Sequence, residues 1–149
     1  NIWIPSIMYP QSLSSKKIGN QIKEEGGYFD DAIVKMSPDG KILYEKSVSQ
    51  IFIENGLEYL IFGIGRYFEK DPIHLNDIQP VTEDSIHMKK NDLFLSLRHQ
   101  SMVFLYRPST NKVIWYNVLG QWNKSEVVVP MWVVVLGNLT VAVARCGLL

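Results

Sequence analysis

The sequence is poor in cysteine, in net charge and in phosphate-binding glycine loops. Cys146 is the single cysteine of 149 residues, so no intrachain disulfide can form, and cysteine usage leaves the redox compartment open. The 15 basic residues balance 15 acidic ones, which argues against a general nucleic-acid binder, because that class needs a basic face to displace counterions. No basic stretch followed by an apolar one opens the chain at Asn1, so no signal peptide is visible. Gly63 and Gly65 lack the strand-to-helix setting of a phosphate loop. What is present suffices for a folded core. Apolar residues make up 46% and charged residues 20%, a balance that excludes disorder by composition, over the length of about one domain.

The pattern is mainly that of strands. Asn1-Ile-Trp-Ile-Pro5 reads as a strand entered partway through a domain, and residues 6–27 are polar and read as a surface loop. Ala32-Ile-Val-Lys-Met36 and Lys41-Ile-Leu-Tyr-Glu45 flank Ser37-Pro-Asp-Gly40. Proline presets φ and glycine accepts a positive φ, so this segment is a hairpin. Residues 47–63 carry Val48, Ile51, Ile53, Leu57, Leu60 and Ile61 at helical spacing, which predicts a short inserted helix near 47–62, broken at Gly56.

Four strands follow: His74 to Val81, Asp92 to His99, Met102 to Tyr106, and Lys112 to Val118 after the turn Arg107-Pro-Ser-Thr-Asn111. In the second, Leu93, Leu95 and Leu97 alternate with Phe94, Ser96 and Arg98. Four short antiparallel strands in meander order make a propeller blade. Lys41-Ile-Leu-Tyr44 is echoed by Lys112-Val-Ile-Trp115, 71 positions later. A blade takes about 40–50 residues, so the offset fits one blade plus the inserted helix. The expected fold is a mainly all-β partial β-propeller: about one complete four-stranded blade and parts of its neighbours. A lone blade leaves faces uncovered, so the unit belongs in a larger ring.

The end of the chain changes character. After Glu126 the one charged residue is Arg145. Val127 to Ala144 spans 18 residues, at the edge of transmembrane length. Pro130, Gly137, Asn138 and Thr140 weaken a span, and a strand pair turning at Gly137-Asn138 fits equally well.

Two motifs carry the candidate chemistry. Asp71-Pro-Ile-His-Leu-Asn-Asp-Ile-Gln-Pro-Val81 contains His74, Asn76 and Ile78, and Leu95-Ser-Leu-Arg-His-Gln-Ser-Met-Val103 contains Ser96, Arg98, His99 and Gln100. On a strand His74 and Asn76 project from one face, and an antiparallel neighbour can bring Arg98 beside them. A guanidinium fork, an imidazole and an amide suit an oxyanion with several oxygens, such as a sulfuryl group.

In this order and spacing, and with Tyr106-Arg-Pro-Ser-Thr-Asn-Lys-Val-Ile-Trp115 after them, the motifs resemble the bacterial arylsulfotransferase family of six-bladed propellers. The resemblance covers roughly residues 28–122. It implies transfer of a sulfuryl group from a phenolic sulfate ester to a phenol through a sulfated histidine, without a nucleotide donor or other cofactor, in an exported, periplasmic enzyme. By the same resemblance His74 and Arg98 are catalytic and Asn76 binds substrate. His74 would protonate the leaving phenol or hold the sulfuryl group, while Asn76 and Arg98 would bind its oxygens. The family's nucleophilic histidine is expected after a segment like Gly120-Gln-Trp122. Here Asn123-Lys-Ser-Glu126 follows, and no histidine occurs after His99. The expected division is therefore 1–122 as partial propeller and 123–149 as an aberrant or truncated apolar tail, inactive alone.

Plainer readings compete. His74 could be a buried histidine satisfied by backbone. Arg98 could be an ion-pair partner of Asp71 or Asp77. His99 alternates to the face opposite Arg98 and reads as structural, His87 reads as exposed, and Ser96 as a small inward-facing residue without an activating partner set. No metal site is expected: Asp71 and Asp77 lack the carboxylate cluster that calcium needs, and His74, His87 and His99 are spaced too widely for zinc. The alternative from another class is a non-catalytic propeller used for binding or scaffolding. Small phenolic partners are expected, with no nucleic acid and no membrane.

Overall fold

The computed structural model describes residues 1–10, 28–61 and 71–118 in full, together with the backbone of 132–136 and 140–144. Most of residues 6–27, the Gly63-x-Gly65 segment, Gly120-Gln-Trp122, the Gly137-Asn138 turn and Cys146 lie outside the described residues.

Three antiparallel sheets form. The first has the order β1 (Ile2–Ile7), β2 (Asp31–Met36), β3 (Ile42–Ser47). Next in the chain come α1 (Val48–Glu54) and a 3₁₀ turn, Glu58–Leu60. The second sheet is the four-stranded meander β4 (Leu75–Pro80), β5 (Leu93–Leu97), β6 (Met102–Arg107), β7 (Lys112–Val118). The chain thus holds one complete blade and part of another, with no closed ring among the described residues. β8 (Trp132–Leu136) pairs with β9 (Thr140–Ala144), as the strand-pair reading of the tail expects. Among the described residues no helix is long and apolar enough to cross a membrane.

The 71-residue echo is structural. Asp31–Met36 and Met102–Arg107 are offset by that distance, and each is followed by a tight turn and an outer strand. The first turn is closed by Ser37, whose backbone N–H donates to the Lys41 carbonyl at 2.9 Å and whose hydroxyl contacts Lys41 at 3.1 Å.

α1 begins where Ser47 caps it: its hydroxyl accepts from the Gln50 N–H at 3.1 Å and donates to Asp30 at 2.5 Å. It ends at Asn55, whose side-chain amide donates to the Ile51 carbonyl at 2.8 Å, and at Gly56 with φ of 69°. The inserted helix is therefore present and broken at Gly56 as the sequence predicts, and the rest of the predicted segment includes the 3₁₀ turn Glu58–Leu60. Val48, Ile51 and Phe52 are buried, and Phe52 meets Phe104 of β6 at 5.3 Å between ring centroids. One core joins helix and both sheets: Ile33, Leu60, Ile73, Leu93, Leu95, Met102, Phe104 and Tyr106 all belong to it. β5 is buried along its whole length rather than alternating, with Leu93, Leu95 and Leu97 in the core that also holds Phe52 and Leu60.

Candidate functional site

The site lies where β1 and β2 run beside the start of β4. Strand pairing begins at Leu75, not at His74 as the sequence reading expects. His74 has a φ of 55°, in the left-handed region that non-glycine residues rarely enter. It is held there from both sides. Its N–H donates to Asp71 Oδ1 at 3.0 Å, its imidazole Nδ1 bonds Asp71 Oδ2, and its carbonyl accepts from the Arg98 N–H at 3.0 Å. A non-glycine residue at positive φ carries local backbone strain, which these bonds offset.

The same-face argument for His74 and Asn76 does not survive this geometry. The β4–β5 register shifts between Leu75 and Asp77, so Asn76 occupies an irregularity and is exposed. Arg98 likewise lies just past β5, which ends at Leu97. Its side chain is exposed, and among the described residues it makes no ion pair with Asp71 or Asp77. Asp77 instead accepts from the Ile78 N–H at 2.9 Å and from Gln79 at 2.9 Å.

His99 is not set apart from His74. Both flank β-structure in turns, where the strand period no longer applies, and their rings lie 4.8 Å apart between centroids. His99 Nδ1 donates to the Asp71 carbonyl at 2.5 Å. Burial lowers the His99 pKa from its ordinary 6.5, partly opposed by Asp71, and the nearby charges of His74 and Arg98 lower it further. His99 is therefore largely neutral at pH 7. His87 is exposed and Ser96 buried, as expected. Gln100 is a clamp: its amide donates to the carbonyls of Ile61 at 2.6 Å and Pro72 at 2.5 Å, fixing the loop that carries Asp71.

Sequence reasoning misses Asp31 altogether. It opens β2, 40 positions before Asp71, and no local pattern marks it. Burial and the Asp71 charge push its carboxyl up from 3.8 to about 6, against the opposing pull of the Leu75 and His74 backbone and the His74 ring. Its Oδ2 is buried without a hydrogen-bond partner among the described residues.

Asp71, His74 and His99 offer donor atoms within 4.8 Å of one another. Contrary to the expectation from spacing, these three could hold a divalent cation, since two imidazoles and a carboxylate suit zinc or iron. The hydrogen bonds already described account for the same grouping without one.

No curated protein and no solved structure matches the chain. The sequence model of the Arylsulfotransferase (ASST) family matches residues 1–123. That match takes in both sheets of the propeller part and every site residue described above, and the chain belongs to this family.

Proposed function

We propose that the chain carries the sulfuryl-binding part of an aryl sulfotransferase site. Family membership supports a transferase acting on phenolic substrates. The finer reaction is transfer of a sulfuryl group from a phenolic sulfate ester to a phenol, without a nucleotide donor, through a sulfohistidine supplied by a part of the site outside His74, Asn76 and Arg98. The observation that carries this reading is the bond from the Arg98 N–H to the His74 carbonyl at 3.0 Å, which sets the two motifs side by side at the end of the β4–β5 ladder.

Chemically, the exposed Arg98 guanidinium offers a fork of donors to sulfuryl oxygens. Asn76, exposed at the adjoining irregularity of β4, adds amide donors. His74 protonates the leaving phenolate oxygen as the sulfur–oxygen bond breaks, or donates to the sulfuryl group. Residues 123–149 depart in composition from the propeller part, and we read them as aberrant sequence. An intact reading frame ending at Leu149 in several independent clones would remove that reading. Export to the periplasm accompanies the family resemblance.

The test is release of nitrophenol from 4-nitrophenyl sulfate with a phenol acceptor, using the full-length gene product. Release is expected to fall at least 100-fold in His74→Ala and in Arg98→Ala. Unchanged turnover in both variants, or none by the full-length protein, would leave the propeller as a binding or scaffolding unit.

A further inference from the structure

His74 and His99 come from different motifs and are 25 positions apart, yet both imidazoles hydrogen-bond through Nδ1 to one residue, Asp71. The two acceptors differ. His74 meets the side-chain carboxylate, and His99 meets the backbone carbonyl. A carbonyl oxygen carries no proton, so His99 Nδ1 must be the protonated nitrogen. A carboxylate imposes the same choice on His74. In the neutral ring, protonation at Nδ1 leaves the lone pair on Nε2, on the far edge of the imidazole.

Asp71 itself is also fixed by contacts other than those with the two imidazole rings. The Gln100 amide holds the neighbouring Pro72 carbonyl, and the Asp71 Oδ1 oxygen accepts the His74 backbone N–H. The same carboxylate therefore stabilises the positive φ of His74 and the tautomer of its ring. Asp31 contributes a second carboxyl beside this arrangement, raised by burial and by Asp71.

We infer that Asp71 is a positioning residue that locks His74 and His99 as one unit in the Nδ1–H form, so that the His74 ring presents Nε2 to whatever enters the site. This rests on the transferase reading only for what enters. In that reaction the His74 Nε2 lone pair accepts the proton of an incoming phenol, and the imidazolium so formed protonates the next leaving oxygen. The third-group logic is that of a nucleophile or base oriented by an acid that does not itself react.

The experiment is a long-range proton–nitrogen correlation spectrum of the imidazole nitrogens in the ¹⁵N-labelled full chain near neutral pH, with Asp71→Asn and Asp71→Ala. In the unchanged chain both histidines are expected as the single Nδ1–H tautomer. Asp71→Asn keeps the backbone carbonyl but removes the charge. It should turn His74 into a tautomer mixture and leave His99 unchanged. Asp71→Ala should release His74 and also loosen His99 as the turn relaxes. If Asp71→Ala fails to fold, the Asp71→Asn contrast still decides. A mixed tautomer at His74 in the unchanged chain, or equal effects of Asp71→Asn on both rings, would overturn the inference. So would loss of both Nδ1 protons on adding equimolar Zn²⁺, which would make the cluster a metal centre. Titration with 4-nitrophenyl sulfate reads the other claim: a shift at the His74 Nε2 supports substrate entry. Intact tautomers without any such shift count against the transferase reading and leave the lock standing.

Discussion

Gly40 and Asn111 lie 71 positions apart and close the same turn of two successive hairpins, each with a positive φ, 84° and 54°. Glycine meets this need without a side chain. Asparagine meets it and uses its side chain, accepting from the Tyr106 hydroxyl at 2.8 Å and donating to Glu54 at 2.6 Å. The second turn is thereby tied to α1, which follows the first hairpin.

Asn111→Gly keeps the backbone but loses both side-chain bonds, and is expected to cost about 1 kcal/mol. Asn111→Ala loses the bonds and adds strain at positive φ, for about 2 kcal/mol in total. Urea denaturation should rank the unchanged chain first, glycine second and alanine last. A glycine variant as poor as alanine would show that backbone strain contributes nothing there.

Asp92 and Arg107 form a two-point ion pair at 2.8 and 2.7 Å, with Asp92 2% and Arg107 23% exposed by side chain. The buried partner cannot rehydrate when the other is removed. Arg107→Ala is therefore expected to cost about 3 kcal/mol, more than Asp92→Asn, and the double variant should recover part of the loss. A double-mutant cycle by denaturation checks the order. A larger loss in Asp92→Asn would show that burial does not decide the asymmetry.

Ser47 serves two bonds at once, capping α1 and donating to the fully buried Asp30. Ser47→Ala is expected to lower stability by about 2 kcal/mol, more than a cap alone at about 1 kcal/mol. Thermal melts of Ser47→Ala and Ser47→Thr should separate them, with threonine keeping most of the stability.

Asp31 sets a pH dependence of unusual sign for a carboxylate. Its folded value of about 6 exceeds the ordinary 3.8. Between these values the folded chain holds a proton that the unfolded chain has released, so stability is greatest below the lower value and declines as pH rises through the upper one. The decline is at most about 3 kcal/mol. His99 works oppositely. Its lowered value means that the unfolded chain takes up a proton first as pH falls below 6.5, so this contribution rises with pH. Asp31→Asn should remove the decline and leave the rise. Denaturation midpoints between about pH 4 and pH 7 measure both slopes; an unaltered profile in Asp31→Asn would assign the decline to another group.

The sequence by itself determined the strands and their order. Ser37-Pro-Asp-Gly40 specifies its hairpin through the fixed φ of proline and the freedom of glycine, and the run from Lys112 to Val118 coincides with β7. The helix was legible from apolar spacing, although its end depended on Asn55 and Gly56. Such features come from neighbours along the chain, whose preferences are local. The blade and the family were legible for the same reason, as ordered motifs and a repeat of 71 positions. The site was legible only as a neighbourhood. Strand alternation placed His99 away from Arg98 and put His74 with Asn76, but His74, Arg98 and His99 all lie outside the strands, where a period of two has no meaning. The tertiary structure alone decided that Asp71 gathers both histidines and that Asp31 stands beside them. Apart from the Asp71–His74 bond, three positions apart, those contacts join residues 25 to 43 positions apart through one antiparallel ladder and a second sheet lying beside it, and no local pattern encodes such a distance.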